Sequence, residues 1–358
     1  MSRSMILVVA VLAALAGSLG WLLLRKEDAA PSAGNAQRPK IAASTRPGSG
    51  SKFQPGEAGG PPPAHAGEDS EGHEKPGASG LTPFEKMKLP TTAAGFVALL
   101  REILLRVPSP FDTEEGQDIV VKIGYAFHDL LKANPQERAA ALDLYRKEEH
   151  PLLMEAMTAV LGPLKMPEVA QAMSDIALGD ANVERRKHAL AGLGYDQDNL
   201  GAVPVAMQVL NTETDPGLLT KAMEALPDLP PGAATPAMRE QVAGRMMELA
   251  RAEDPYVRGT SLYLLSEWGD VRATPVLISR LQDPIMGVRA AAAFNLTSRV
   301  DQSPDVKRAL LRVLADPNED IQVRGSVADA FKYRTTNDAE VMAAVQAFHA
   351  WEAENRAK

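Results

Sequence analysis

The chain has no cysteine among its 358 residues. Disulfides, thiolate metal sites, cysteine nucleophiles and lipid attachment through an N-terminal cysteine are therefore excluded. Aromatic residues are scarce, at 5%, although 45% of all residues are hydrophobic. A core built mainly from Ala, Leu and Met favours helices over β-sandwiches. No G-x-x-x-x-G-K, G-x-G-x-x-G or G-x-S-x-G occurs, so nucleotide cradles and hydrolase elbows have no support. Basic residues are also outnumbered. From Leu81 onward there are 30 Lys and Arg against 39 Asp and Glu, a net charge of −9. Such a balance opposes binding to phosphate backbones, so nucleic acid is not an expected partner.

Histidine is nearly as sparse. Beyond the first 80 residues only His128, His150, His188 and His349 occur, none at a spacing such as H-x-x-x-H or H-E-x-x-H. Glu148-Glu149-His150 reads as a solvated helix end before Pro151, because adjacent helical residues point in different directions. No catalytic residue, metal site or cofactor is expected. Trp268 and Trp351 read as covers of a repeat turn and of the last core layer in preference to partner-contact anchors, and Met223, Met238, Met246 and Met247 as adaptable core filling.

What the chain does contain begins with an uncharged run, residues 5–24, "MILVVAVLAALAGSLGWLLL". Twenty residues at about 1.5 Å each cover the roughly 30 Å of bilayer hydrocarbon. Residues 1–28 are read as a membrane anchor, in preference to a signal peptide cut after Ala14-Leu15-Ala16, because the apolar run continues through Leu24. The remainder is expected on the periplasmic side of an inner membrane, or secreted there if the segment is cleaved. Residues 29–80 hold 8 Pro and 10 Gly and only two large apolar side chains, Ile41 and Phe53. They are expected to form a disordered linker that leaves His65 and His73 solvated.

Residues 81–358 are read as one all-α domain. Within it a phrase recurs: "ANPQERAAALDLY" from Ala133, "EDPYVRGTSLYLL" from Glu253, "QDPIMGVRAAAAFNL" from Gln282 and "ADPNEDIQVRGSVADAF" from Ala315. Aligned on Arg138, Arg186, Arg258, Arg289 and Arg324, the residues four positions on are Leu142, Leu190, Leu262, Ala293 and Ala328. Seven positions on stand Tyr145, Leu193, Leu265, Leu296 and Phe331. These offsets define one apolar stripe of a helix. The Asp or Asn ahead of each suits an N-cap and the Pro a first turn, as at Asp254-Pro255 and Asn134-Pro135. Met166-Pro167, Thr235-Pro236, Thr274-Pro275 and Ser303-Pro304 mark the starts of intervening helices, and Asp215-Pro216 begins a copy with no Arg in register. The Arg spacings are 48, 72, 31 and 35 residues, the 72 spanning that degenerate copy. Helix pairs at such a period predict an α-solenoid. Two helices from 93–107 and 113–133 are expected to close its N-terminal end. Asn337-Asp338-Ala339-Glu340 is expected to open a last helix through Ala353.

The phrase DPxxxVRxxAxxxL resembles HEAT repeats, notably the short bacterial kind related to bilin-lyase repeats. The resemblance covers residues 134–332, is strongest at 254–331, and lapses at 215–230, where "LPDLPPGAATP" breaks the regularity. It implies that Asp254, Asp283 and Asp320 with Arg138, Arg186, Arg258, Arg289 and Arg324 form a structural ladder between repeats, some of it partner-facing. Combined with the apolar run and the linker, the repeats lead to the expectation of a non-catalytic scaffold for a protein or peptide partner, tethered to a membrane through residues 5–24. The alternative is an accessory subunit or divergent enzyme of the repeat-built lyase or hydroxylase type. Deoxyhypusine hydroxylases share the architecture but hold iron with His-Glu pairs inside repeats. Here the only His-Glu is His73-Glu74, in the linker.

Overall fold

The computed structural model describes residues 84–356, except 107–108, 197–199, 228–232, 269–271, 298, 300–302 and 335–337. The expected anchor at 5–24, the linker at 29–80 with His65 and His73-Glu74, residues 228–232 of the "LPDLPPGAATP" break and Asn337 lie outside the described residues. The described residues belong to the unit Thr82–Lys358.

No strand occurs among the described residues. The helices, in order, are α1 Ala93–Leu104, α2 Glu114–Ala133, α3 Pro135–Lys147, α4 Pro151–Leu161, α5 Pro167–Gly179, α6 Val183–Gly194, α7 Ala202–Thr212 and α8 Pro216–Glu224. They continue with α9 Pro236–Leu249, α10 Pro255–Glu267, α11 Ala273–Arg280, α12 Met286–Thr297, α13 Pro304–Ala315, α14 Ile321–Arg334 and α15 Ala339–Arg356. The even-numbered helices α2 to α14 pack each on the next in one row, the odd-numbered α1 to α15 in a second. Helices consecutive in the chain bridge the rows, as α5 does to α6 and α9 to α10. This is the α-solenoid arrangement, in which each pair covers its apolar stripe with the next pair.

The stripe read from the Arg alignment is the core. All ten residues four and seven positions after the five arginines are buried, Tyr145, Leu190, Leu262, Leu265, Ala293, Leu296 and Ala328 completely. Each fully buried Leu contributes roughly 1.5–3 kcal/mol relative to exposure. Caps set where the helices begin. Asn134, Asp215, Thr235 and Asp254 accept hydrogen bonds from free amides of α3, α8, α9 and α10, and each is followed by Pro. At the N-terminal end, Thr92 and Thr113 cap α1 and α2, and Phe96 stacks on Phe127 at 5.0 Å to join them.

Three expectations need correction. Helix α3, which carries Arg138, belongs to the odd row with α1 and α5, whereas Arg186, Arg258, Arg289 and Arg324 lie on the even row. A capped start followed by Arg and small residues is a local signal, and local signals do not say which row a helix joins. Thr274 does not open a helix: α11 begins at Ala273, and the Thr274 hydroxyl instead accepts from Arg299 at 3.1 Å. The last helix is capped by Asp338, which accepts from Glu340 and Val341 amides, and runs to Arg356 rather than Ala353.

Candidate functional site

The arginines of the repeat share one geometry. One part of the guanidinium donates to carbonyls at the end of the preceding helix, and the rest reaches a carboxylate from the next pair. Arg186 donates from Nε to the Ala177 carbonyl at 3.0 Å and from Nη2 to Glu213 at 2.5 Å. Arg258 donates to the Ala252 and Glu253 carbonyls, and through Nε and Nη2 to both oxygens of Asp283 at 2.9 Å. Arg289 donates to the Asp283 carbonyl at 2.8 Å and grips Glu319 through Nε and Nη2 at 3.0 and 2.8 Å. Such two-pronged pairs are the strong form of the contact, and the planar guanidinium suits them. Arg138, from the other row, donates to the Leu131 carbonyl at 2.6 Å and to Glu168 in α5 at 2.9 Å.

The last rung differs. Arg324 donates to the Leu314 carbonyl at 3.0 Å but forms no ion pair with a carboxylate among the described residues. Its guanidinium lies 4.1 Å from the Trp351 ring centroid and 5.0 Å from that of Phe348, both on α15, and its buried Nη1 has no partner. An aromatic lid takes the place of a further repeat's acid.

Of the three aspartates read as ladder residues, the structure brings only Asp283 to an arginine. Asp254 accepts from the Tyr256 and Val257 amides and Asp320 from the Gln322 amide, so both cap their own helices. The acids that receive Arg186 and Arg289, Glu213 and Glu319, stand just ahead of the caps Asp215 and Asp320 and escaped the sequence reading. So did three arginines. Arg185 holds both oxygens of Asp180 at 2.8 and 2.9 Å and the Glu148 carbonyl at 2.7 Å. Arg245 reaches the Leu210 carbonyl, and Arg299 the Leu265 carbonyl. Arg185 stands beside the in-register Arg186, and Arg299 lies in a turn, so neither carries a periodic signal.

Glu148 is not a solvated helix end. It is buried, accepting from the amides of Glu149 and His150 and from Arg101 at 2.6 Å. Burial raises its pKa, but the two amides and Arg101 outweigh that and hold it below the ordinary carboxylate range. With Arg101, Lys147, Glu149, His150 and Pro151 it lines an open depression of about 410 Å³. Its carboxylate already holds Arg101, and Lys147 pairs with Asp143 at 2.6 Å. Burial drives the His188 imidazole down to about 4, and His349 lies 3.4 Å from Glu352. Among the described residues no group of three His, Asp or Glu is placed to hold a metal ion, and no helix is long and apolar enough to cross a membrane.

The outward face of the even row carries a different chemistry. Phe294 is 62% exposed, Tyr256 58% and Tyr263 42%. Tyr256 and Tyr263 are two turns apart on α10, and Phe294 stands on the adjoining α12. Trp268, by contrast, is buried, with its carbonyl accepting from Arg239.

Residues 242–332 match the family profile described as HEAT repeats, a stretch from α9 into α14. Among solved structures, that of YibA from Escherichia coli is 13% identical, covering 74% of this chain and 99% of that one at a TM-score of 0.43. Human deoxyhypusine hydroxylase in complex with glycerol is 16% identical, covering 72% of this chain and 96% of that one at a TM-score of 0.27. Neither likeness bears on activity. No curated protein matches the sequence. What is shown is thus architectural: among the described residues a helical, two-row stack, of which residues 242–332 match the HEAT-repeat profile.

Proposed function

We propose that the chain is a non-catalytic scaffold whose HEAT-like stack binds a protein or peptide partner. Residues 5–24 hold it at a membrane, with the repeats on the periplasmic side. One observation carries the reading: within the matched repeats, Arg258 and Arg289 and their acids Asp283 and Glu319 are engaged in contacts between repeats, while Tyr256, Tyr263 and Phe294 stand exposed on the surface. Aromatic residues are enriched at interface centres. A 52-residue linker spans roughly 40 Å on average, at about 5–6 Å × √n, which raises the effective concentration of a membrane-borne partner. The test is cross-linking and recovery from membranes of the whole chain and of a chain ending at residue 80. The scaffold reading expects proteins recovered only with the whole chain, and identical recovery from both overturns it.

A further inference from the structure

The even-row helices α8, α10, α12 and α14 present equivalent positions in order. The position five residues after the ladder arginine is Tyr263 on α10, Phe294 on α12 and Asp329 on α14. On α8, where Leu219 stands at the arginine position, it is Glu224. All four side chains are exposed. The row therefore reads acid, aromatic, aromatic, acid across four helices that pack in succession. Glu224 pairs with Lys221 at 2.7 Å. Asp329, and Glu267 one turn beyond Tyr263, form no ion pair among the described residues, and the exposed Lys332 forms none either. Glu224 lies close enough to α10 to help raise the pKa of the Tyr256 hydroxyl, behind the larger effect of burial.

Beside this row runs a floor of minimal side chains. Gly259 and Gly325 occupy the same position on α10 and α14, one residue after the arginine, with Ala290 between them on α12. A Cβ at either glycine would meet nothing within 4 Å. Glycine inside a helix costs about 1 kcal/mol relative to alanine, and no internal packing accounts for it at these two places.

We propose, building on the scaffold reading, that Tyr263 and Phe294, bracketed by Glu224 and Asp329 and floored by Gly259 and Gly325, bind a proline-rich segment of the partner with basic flanks. Helices pack about 8–10 Å apart. A polyproline II segment turns once every three residues and rises about 9.3 Å in that turn, so every third side chain falls on one face at the helix spacing. The matching pattern is K-x-x-Φ-x-x-Φ-x-x-K, with Φ an aliphatic residue or proline. Its apolar anchors meet the two rings and its basic ends the two carboxylates. The backbone of such a segment is satisfied by water, which suits a surface that offers rings and small side chains rather than amide donors.

Binding is measured by fluorescence anisotropy with the full chain in detergent and a labelled K-P-P-L-P-P-L-P-P-K peptide. Phe294→Ala is expected to weaken binding about tenfold or more, as truncation of a central anchor does. Gly259→Leu, which fills the floor without touching the core, is expected to weaken it comparably. Asp329→Lys is expected to weaken the basic peptide and to strengthen a version ending in Glu. Equal binding of the basic and acidic peptides, or no response to Phe294→Ala and Gly259→Leu, overturns the proposal. Self-association abolished by Phe294→Ala, without peptide binding, overturns it by placing a second copy on the strip. If membrane cross-linking still recovers partners with Phe294→Ala as with the natural chain, the scaffold reading stands and only this surface falls.

Discussion

Arg258 closes on Asp283, 25 residues downstream, through two parallel hydrogen bonds of 2.9 Å, with both side chains buried. Asp283 also accepts from the Ile285 amide, and its own carbonyl accepts from Arg289. One residue thus ends one rung and supports the next. Removing a single partner of a buried pair typically costs about 3–5 kcal/mol, because the other charge is left without compensation. Asp283→Ala is expected to lower stability by that order. Asp254→Ala loses only a helix cap and is expected to cost about 1 kcal/mol. Urea denaturation distinguishes them, and equal losses would contradict the assignment.

Arg324 should behave in the opposite way to Arg258. It is 4% exposed and, among the described residues, has no carboxylate in ion-pair contact and no partner for Nη1. Arg324→Met keeps the volume over Trp351 and removes a buried charge, so it is expected to be neutral or stabilising. Arg258→Met is expected to destabilise strongly, since it leaves buried Asp283 with only the Ile285 amide and a 3.5 Å contact to Arg280. The comparison is a pair of unfolding midpoints.

Trp351→Ala removes the ring over Arg324 and the aromatic contact with Phe348. A desolvated cation–ring contact contributes up to about 2 kcal/mol. The loss should appear first as faster amide hydrogen exchange in α14 and α15, leaving α5 and α6 unchanged, because repeats contact only their neighbours.

Acid sensitivity has two separate limbs. Burial drives His188 from 6.5 to about 4, so between those values the unfolded chain binds a proton that the folded chain refuses. Its contribution is present above pH 6.5 and is lost as pH falls towards 4. Asp283 is held below the ordinary carboxylate range: burial raises it, but Arg258 and the Ile285 amide outweigh burial. Its contribution is present above the unfolded carboxylate value near 4 and is lost below it. His188→Gln should flatten stability between pH 6.5 and 4, and Asp283→Asn only the limb below. Unfolding midpoints across pH 3–8 test both signs.

The helices easiest to read were those with strong starts. Asn134, Asp215, Thr235 and Asp254 each pair a capping side chain with a following Pro, and α3, α8, α9 and α10 begin there. The starts of α4 and α7 carry no such signal: His150 and Gly201 precede them and provide no side-chain cap. The rungs were half legible. Their arginines recur with the apolar stripe, but Glu168, Glu213 and Glu319 look like any other solvated acid until the next pair is stacked against them.

The sequence alone determined that the chain makes helices, where most of them start and which stripe they bury, because caps, prolines and a four-then-seven apolar spacing act within a single helix. Only the tertiary structure decided that α3 joins the odd row, that Asp283 receives Arg258 while Asp254 does not, and that Trp351 closes over Arg324. Those outcomes depend on which surfaces meet across 25 to 30 residues of chain, and no property of either segment read separately contains that meeting.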